Sequence, residues 1–400
     1  MSLRELPPEQ GVRRDRWRRL RYVPLAILVV CSLVAAAVGY VVRLHLDELA
    51  QASRAAPLEP VATADPDNRL PEEECTPAVE QPADQAWTSE RSAASEAVWA
   101  AHAANLSQPY VVGRDDWVFW GDIQAQNFSQ ALGRRVLTVS EAQAWRDYLL
   151  HLRDGLADQG IPLYIVVAPA KWAVYPQELP DWTDDIRGSS ALDQLLAANP
   201  DLPFVDVRAP LRAASAHTPT YSRLNSHWTD YGAAVAWGAI SSCIATSDTG
   251  LSVIGLPEVA GVVTSGDNNE FAEWGRTSPE PDWTTPAFTD PLLPVVVSID
   301  GGEAQTWSGD RRIGLGELPA ETWTEGAQVD ASALVVRDSF GVSLSPYIHQ
   351  SFSHTWQVRH FYDYPPEQQP NILKLAAQDR PDVVILEIAQ RHLIFPPPIP

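Results

Sequence analysis

Two short segments hold the residue types that nucleophilic acyl chemistry needs, and one of them surrounds Ser339. The segment from Val336 to Phe340 follows an apolar run and precedes residues that favour a helix. A serine placed there projects from the carboxyl edge of a parallel sheet, where α/β proteins have their sites. The N-terminus of the next helix would offer N–H groups to a developing oxyanion. Taken alone, the segment favours the simpler alternative that Ser339 is only a helix N-cap.

The other segment runs from Tyr221 to Asp230 and contains His227. This histidine is predicted to lie in a loop immediately before a helix, beside a tryptophan and a hydroxyl residue. A loop histidine in such a position can serve as the general base for a serine nucleophile. Taken alone, a surface or capping histidine is the simpler interpretation.

The elements that would position these segments follow an α/β rhythm from residue 140 onward. Helices are predicted at 140–159 and 230–246, and buried strands at 162–168, 333–336 and 383–388. Apolar runs of this kind are typical of strands that are covered on both faces of a parallel sheet. We therefore predict an α/β fold with a doubly wound parallel sheet.

Shifts in composition predict how the chain is organised. Residues 22–42 form an uncharged, apolar run of 21 residues, long enough to cross a bilayer as a transmembrane helix. Arginines closely precede it, so the basic tail 1–21 is expected in the cytoplasm and the rest of the chain outside the cell membrane. A cleaved signal peptide is the alternative. Residues 43–86 are predicted to be a stalk, and 87–400 a catalytic domain with a β-rich insertion at 250–330.

The distribution of charge excludes nucleic-acid partners. The chain of 400 residues has a net charge of −22, although its first 21 residues contain seven arginines against three acidic residues. The remaining 379 residues therefore carry a net charge of −26. A domain this acidic repels phosphate backbones.

Three cysteines indicate the redox environment. Cys31 lies within the apolar run, whereas Cys75 and Cys243 both follow it, on the side where oxidising conditions permit a disulfide. We expect a structural bridge between Cys75 and Cys243. Their spacing does not match a metal site or a redox motif.

Five segments of the chain, taken in order, resemble the AlgJ/AlgX group of SGNH-hydrolase-like proteins, the extracytoplasmic O-acetyltransferases of bacterial polysaccharides. They are Gly113–Phe119, Val166–Lys171 followed by Tyr175-Pro176, Asn225–Trp228, Val336–Phe340, and Asp382–Glu387 followed by Arg391. The resemblance covers residues 108–395 and implies an SGNH-hydrolase-like fold.

The resemblance implies a catalytic role for three residues. Ser339 matches the nucleophilic serine of the family, and His227 matches its general base. Asn225 stands where the family usually has the aspartate that orients this histidine. An amide oxygen can accept the imidazole N–H but cannot stabilise an imidazolium by charge. The candidates for the missing charge are Asp230, Asp338 and Glu387.

Residues near these motifs are candidates for substrate contact. Lys171 and Arg391 each follow a predicted strand at the carboxyl edge of the sheet. The alternatives are a solvated loop lysine and an ion pair between Arg391 and Glu387. Arg337 replaces a glycine of the family and is expected to alter the turn or to bring a cation to the pocket edge. The remaining candidates are Asp338, Trp228 and Tyr221, with core packing as the alternative for Trp228.

The resemblance implies covalent acyl transfer, in which Ser339 is acetylated and a polysaccharide hydroxyl then accepts the acetyl group. No metal or dissociable cofactor is expected. A membrane-bound O-acyltransferase is expected as the partner that delivers acetyl groups. One alternative is a carbohydrate acetylesterase, and another is a catalytically impaired polysaccharide-binding or scaffold protein, which Asn225 favours. A hydrogen bond between Ser339 and His227 would count against the scaffold.

Overall fold

The chain divides into two compact units, residues 1–57 and 58–400. The computed structural model describes residues 31–32, 34–36, 38–40, 75, 77–80, 86–87, 90–102, 106, 108–266, 268–278 and 280–399. In the first unit, the described residues are helical. Within the described part of the chain, no helix is long and apolar enough to cross a bilayer. The predicted tail 1–21 and most of the predicted membrane segment 22–42 and stalk 43–86 lie outside the described residues, so they stay predictions.

The helices and strands of the second unit alternate along most of the chain. The helices are α1 (Ser92–His102), α2 (Asn127–Ala131), α3 (Val139–Ala157), α4 (Lys171–Val174), α5 (Ala191–Ala198), α6 (Arg208–Ser215), α7 (Asp230–Ser247), α8 (Gly341–Ser351) and α9 (Ile372–Asp379). The strands are β1 (Tyr110–Val112), β2 (Val118–Trp120), β3 (Leu163–Ala168), β4 (Phe204–Val205), β5 (Val259–Ser265), β6 (Trp283–Phe288), β7 (Val295–Ile299), β8 (Gln305–Trp307), β9 (Ala320–Trp323), β10 (Val329–Arg337), β11 (Phe352–Arg359) and β12 (Val383–Ala389).

The central sheet has eight strands in the order β4-β3-β12-β10-β11-β9-β7-β8. Its first five strands are parallel, as expected from the sequence. The other three strands, β9, β7 and β8, each pair antiparallel with their neighbours. These three strands come from the predicted insertion 250–330, where β7 and β8 are joined by a short connection. Antiparallel strands can be joined in this way, whereas parallel strands need a long crossover.

Alternate side chains of the parallel strands enter two separate hydrophobic cores. One core contains Tyr164 and Val166 of β3 and packs against α7 and α8, and the other contains Leu163 and Ile165 and packs against α3, α5 and α9. All six residues of β3 and all seven of β12 are buried. Helices therefore cover both faces of the parallel strands, which explains why the sequences of these strands are continuously apolar.

Three neighbouring parallel strands end at the same edge of the sheet. β3 ends at Ala168, β12 at Ala389 and β10 at Arg337. β12 lies between the other two strands and pairs with both, with Ala389 opposite Ala168 and Leu386 opposite Val336. The segments that follow these strands therefore meet at one edge, where open α/β sheets place their sites.

A disulfide joins Cys75 to Cys243 of α7, with 5.5 Å between the two Cα atoms, and this is the pairing expected from the sequence. The residues just after Cys75 are also fastened to the domain. Glu80 pairs with Arg212 at 2.7 Å, and the carbonyl of Ala78 accepts a hydrogen bond from the guanidinium of Arg208. The start of the domain is thus attached to α6 and α7.

We expect replacement of the Cys75–Cys243 pair by serine to lower the free energy of unfolding by about 2–5 kcal/mol, because the bridge restricts a long loop in the unfolded chain. Denaturant titration of the two variants measures this loss. Cys31→Ser is the matched control, since Cys31 is a free thiol and its replacement should leave the midpoint unchanged. Equal midpoints for all variants would contradict a structural role for the bridge.

Candidate active site

Ser339 lies in the short turn between β10 and α8. Asp338 stabilises this turn, because its Oδ1 accepts the N–H of Phe340 at 3.0 Å and its Oδ2 accepts the N–H of Ala389 at 2.8 Å. One carboxylate thereby connects the end of β12 with the turn that follows β10. The nucleophile candidate is held in place by backbone contacts on both sides.

Arg337, just before this turn, is fully buried and does not bring a cation to the pocket edge. Its Nε donates to Oε1 of Gln357 at 2.9 Å, and its Nη2 donates to the carbonyl of Ile313 at 2.8 Å. Burial lowers the pKa of Arg337 to about 10, so the group remains a cation at neutral pH. A Cβ on Gly341 would overlap this side chain, and the glycine at 341 therefore makes room for the arginine at 337.

The structure brings His227 to Ser339. His227 Nε2 lies 2.8 Å from Ser339 Oγ, although 112 residues separate the two in sequence. The imidazole packs against Phe340 with 4.7 Å between ring centroids. Trp228 connects the loop of His227 to the turn of Ser339, because its Nε1 donates to the carbonyl of Phe340 at 3.0 Å. The two segments singled out in the sequence thus form one site.

A carboxylate that the sequence did not indicate, Glu270, contacts the other side of the imidazole. Its Oε1 lies 2.7 Å from His227 Nδ1. Its Oε2 accepts hydrogen bonds from the N–H of Ser226 at 2.8 Å and from Nε1 of Trp120 at 3.2 Å. An ionised carboxylate only accepts, so Nδ1 carries the proton and Nε2 is left to accept the Ser339 O–H. Glu270 therefore occupies the third position of a Ser–His–acid arrangement.

Burial raises the pKa of Glu270, but attraction to His227 and the hydrogen bonds from His227 and Ser226 outweigh it. The pKa is held well below its usual range, and Glu270 is an anion at neutral pH. The carboxylate of Glu270 supplies both an acceptor for the N–H of His227 and a negative charge that stabilises the imidazolium form of His227.

Asn225 supports the loop and contributes no charge. Its Oδ1 accepts the backbone N–H of His227 at 2.9 Å and lies 3.1 Å from Nδ1 of the same residue. Its Nδ2 donates to the carbonyl and side-chain oxygens of Asn268, at 3.3 and 3.1 Å. The amide thus connects the histidine loop with the segment that carries Glu270.

The three sequence candidates for the missing charge have other partners. Asp230 Oδ1 lies 2.8 Å from Nη1 of Arg312. Glu387 Oε2 accepts the N–H of Asp338 at 3.0 Å, and the buried carboxylate of Asp338 accepts the N–H groups of Phe340 and Ala389. Glu270 lies 43 residues after His227 in an irregular part of the insertion, where neither periodicity nor a motif marks it.

Asp338 is the centre of a buried cluster with His360 and His392. Its Oδ2 lies 3.2 Å from His360 Nε2 and 3.0 Å from His392 Nδ1. Burial raises the pKa of Asp338, but hydrogen bonds from the two histidines outweigh it and hold the pKa well below its usual range.

Among the described residues, Asp338, His360 and His392 are close enough to hold a metal ion. However, Tyr362 donates its N–H to His360 Nδ1 at 3.0 Å, so His360 Nε2 carries a proton and donates to Asp338. The cluster is a hydrogen-bonded anchor, because a metal at Nε2 would require the opposite tautomer.

Several candidates for substrate contact prove to be structural. Lys171 is buried, and its Nζ donates to the carbonyls of Ser222 and Arg223 at 3.1 and 2.8 Å. Burial lowers the pKa of Lys171 to about 7. It is not a solvated lysine, since its ammonium holds the turn at Ser222 and Arg223, just before His227.

The two aromatic candidates are part of the core. Tyr221 and Trp228 are both fully buried, and the hydroxyl of Tyr221 donates to the carbonyl of Pro169 at 2.6 Å. Asp338 is 2% exposed and equally out of reach of a polymer. The full burial of Trp228 favours the alternative of core packing for this residue.

Arg391 is the exception, because it reaches the site itself. Its Nη2 lies 3.4 Å from Ser339 Oγ, and its guanidinium lies 5.6 Å from the ring of Phe340. Gln390 and Arg391 follow directly after β12, so the strand end aims both side chains at the same edge as the nucleophile.

A small cavity of about 10 Å³ borders these groups, with Ser226, Phe340, Gln390 and Arg391 in its wall. Such a volume holds roughly one water molecule. Ser226 Oγ, Gln390 Nε2 and Arg391 Nε are buried here without a hydrogen-bond partner in the part of the chain that the structure describes. The cavity therefore presents unused polar groups beside Ser339, as a site for a small oxygen-bearing group would.

Comparisons with known proteins find relatives of this domain. Residues 110–292 match the family model described as "SGNH hydrolase-like domain, acetyltransferase AlgX". The match includes Asn225, His227 and Glu270, whereas Ser339 lies beyond it. The probable alginate O-acetylase AlgJ of Pseudomonas syringae pv. tomato is 28% identical over 41% of this chain and 44% of its own length. The protein of the same name from Pseudomonas putida is 29% identical over 49% of this chain and 47% of its own. The chain thus spans just under half the length of these relatives.

Solved structures show the same fold. Bacillus cereus PatB1 covers 71% of this chain and 96% of its own, with a TM-score of 0.51 at 15% identity. The same protein with a sulfonyl adduct covers 72% of this chain and 96% of its own, with a TM-score of 0.53 at 15% identity. These likenesses show the fold, and the matched domain and the AlgJ relatives confirm the resemblance noted in the sequence. Residues 110–292 therefore hold an AlgX-type SGNH-hydrolase-like domain, and the chain is similar to the AlgX/AlgJ family.

Proposed function

We propose that this protein is an O-acetyltransferase that transfers an acetyl group through an ester of Ser339 to a hydroxyl of a polysaccharide. The observation that carries the proposal is the continuous contact from Ser339 Oγ through both nitrogens of His227 to the carboxylate of Glu270. The relatives named as probable alginate O-acetylases support the choice of acetyl group and polysaccharide acceptor.

In the first half of the reaction, His227 Nε2 takes the proton of Ser339 as Oγ attacks the carbonyl carbon of the acetyl donor. The donor's leaving group departs with the proton from His227, and an acetyl ester remains on Ser339. In the second half, His227 takes the proton of a sugar hydroxyl as its oxygen attacks the ester, and Ser339 regains its proton. Glu270 stabilises the imidazolium that forms in each half.

The oxyanion of each tetrahedral intermediate needs a hydrogen-bond donor beside Ser339. The N–H of Phe340 is already donated to Asp338, which makes it a poor candidate. Arg391 is placed better, with Nη2 at 3.4 Å from Oγ and Nε unpartnered at the small cavity. We therefore assign Arg391 to stabilising the oxyanion by charge and hydrogen bonding.

The setting proposed for this reaction is the outer side of a cell membrane. An anchor at residues 22–42 would hold the domain there, beside a membrane-bound O-acyltransferase that delivers the acetyl groups. The Cys75–Cys243 disulfide supports an oxidising compartment.

Two alternatives share parts of this proposal. A carbohydrate acetylesterase would use the same steps with water as the acceptor. The scaffold alternative depended on the missing charge at Asn225, and the 2.7 Å contact between Glu270 and His227 counts against it.

We expect the full chain to hydrolyse a chromogenic acetyl ester slowly, with acetylated Ser339 detectable by mass spectrometry. Ser339→Ala should lose about 10³-fold or more of this activity, because no other group can form the ester. Ser140→Ala, on an exposed position of α3, is the matched control and should retain full activity. Equal rates for Ser339→Ala and the parent protein would overturn the proposal, and transfer to a sugar rather than water would separate it from the esterase alternative.

Glu270→Gln should lower kcat by about 10²–10⁴-fold with little change in KM, because the amide cannot stabilise the imidazolium. Glu270→Asp should restore part of the activity. Asn225→Ala is the comparison, and its effect on kcat should be smaller than that of Glu270→Gln. If Asn225→Ala proved the more damaging change, Glu270 would not be the acid partner of His227.

Arg391→Gln should lower kcat by about 10²-fold, the usual effect of removing one oxyanion donor. KM for the small ester should change little, since the charge is needed mainly in the transition state. An unchanged kcat would remove Arg391 from the mechanism.

A further inference from the structure

A second, larger concavity lies between β6, the segments 289–292 and 308–312, and helix α8. Its volume is about 610 Å³, within the range of roughly 300–1,000 Å³ that is usual for ligand sites. We refer to it as the β6–α8 groove. It is built largely by the insertion, at residues that the proposed chemistry does not use.

The floor of the β6–α8 groove is apolar and its rim is polar. Pro346 and Tyr347 of α8 are buried in the floor, and the half-buried ring of Phe288 lies 5.9 Å from that of Tyr347. Exposed hydroxyls of Thr289 and Ser308 stand on the rim. A sugar ring has an apolar face and a polar edge, so an aromatic floor with hydroxyls around it suits a saccharide better than a purely apolar ligand.

Two residues that line the groove, Ser343 and Asp230, lie close in sequence to Ser339 and His227. Ser343, in the first turn of α8, lines the groove and lies four residues after Ser339 in sequence. The hydroxyl of Ser343 donates to Asp230 Oδ1 at 3.0 Å, and Asp230 follows His227 by three residues. A polymer in the groove would therefore pass close to the nucleophile.

The charge of the groove selects against an anionic polymer. Asp230 pairs with Arg312 at 2.8 Å, whereas Asp290 and Asp310 on the exposed rim have no ion pair within the described part of the chain. The chain beyond its first 21 residues carries a net charge of −26. A polyuronate has a carboxylate on every sugar and would be repelled both locally and at long range.

From this combination we infer that the β6–α8 groove binds the acceptor glycan of the proposed transferase, and that this glycan is neutral rather than a polyuronate. The assignment as acceptor site rests on the proposed function, whereas the preference for neutral saccharides rests on the lining of the groove and the net charge of the chain. It separates this chain from the alginate substrate named in its relatives, because alginate is a polyuronate.

The test uses the full chain carrying Ser339→Ala, so that binding is measured without turnover. Isothermal titration compares two neutral probes, cellohexaose and N-acetylchitohexaose, with a hexamannuronate of the same length. We expect at least one neutral probe to bind about tenfold or more tightly than the hexamannuronate. Phe288→Ala should weaken that binding about tenfold, because it removes the exposed part of the aromatic floor.

Weaker binding by a variant could result from misfolding, so a second pair of substitutions is designed to strengthen the binding of the hexamannuronate. Asp290→Lys with Asp310→Lys should reverse the preference, so that the hexamannuronate becomes the tighter ligand. Glu303→Lys with Glu367→Lys is the matched control, since these exposed residues lie outside the groove and change the net charge equally. The control should not reverse the preference if the charges of the groove decide it.

Tighter binding of hexamannuronate by the parent protein, or failure of both neutral probes to bind, would overturn the inference. So would a control pair that reverses the preference as well as the groove pair does. Acetylation of Ser339 in the protein with its serine intact is followed separately. If acetylation occurs and the groove binds no neutral saccharide, only this inference fails; if Ser339 is never acetylated, the proposed function fails whatever the groove binds.

Discussion

The buried carboxylate of Asp338 is the interaction on which the geometry of the site depends. It accepts two backbone N–H groups, one from the turn after β10 and one from the end of β12, and contacts His360 and His392. Ser339 and Arg391 follow these two strands, so a single anion sets where both lie. Burying a charge is costly unless hydrogen bonds satisfy it, and here four contacts do so. The neighbouring Glu387 adapts, because burial and the charge of Asp338 raise its pKa well above the usual range.

Glu270 shows that the acid of a Ser–His–acid arrangement can move away from the motif that carries the histidine. In this chain the position two residues before His227 holds an amide, and the carboxylate comes from a distant loop. The amide keeps a role in geometry, since it binds both the backbone of His227 and the segment around Asn268. Orientation and charge, which one aspartate would provide together, are here divided between two side chains.

The parallel half of the fold could be predicted from the sequence, and the antiparallel half could not. The strand predicted at 383–388 is observed at Val383–Ala389, and the helix predicted at 140–159 is observed at Val139–Ala157. Strands buried on both faces give long apolar runs, and the Thr138–Glu141 capping box marks the helix start. By contrast, β7 to β9 join the main sheet through pairings between distant segments, which no local pattern encodes.

The same distinction applies to the site. Ser339 and His227 stand beside predicted elements, but only the family resemblance, and not the two segments by themselves, predicted that they meet. Lys171, Tyr221 and Trp228 were candidates because of their chemistry, yet burial and backbone partners make them structural. Side-chain burial depends on which segments pack above a residue, and that is decided by tertiary structure.

The position of Glu270 within the insertion has a thermodynamic consequence. Proteins open locally at lower free energy than they unfold, and irregular loops are among the first parts to do so. If the loop around Glu270 undocked, Ser339 and His227 could stay in contact while the imidazole lost its anion. The fraction of molecules ready to react would then be set by a local equilibrium of the insertion, distinct from the global stability that the core and the disulfide provide.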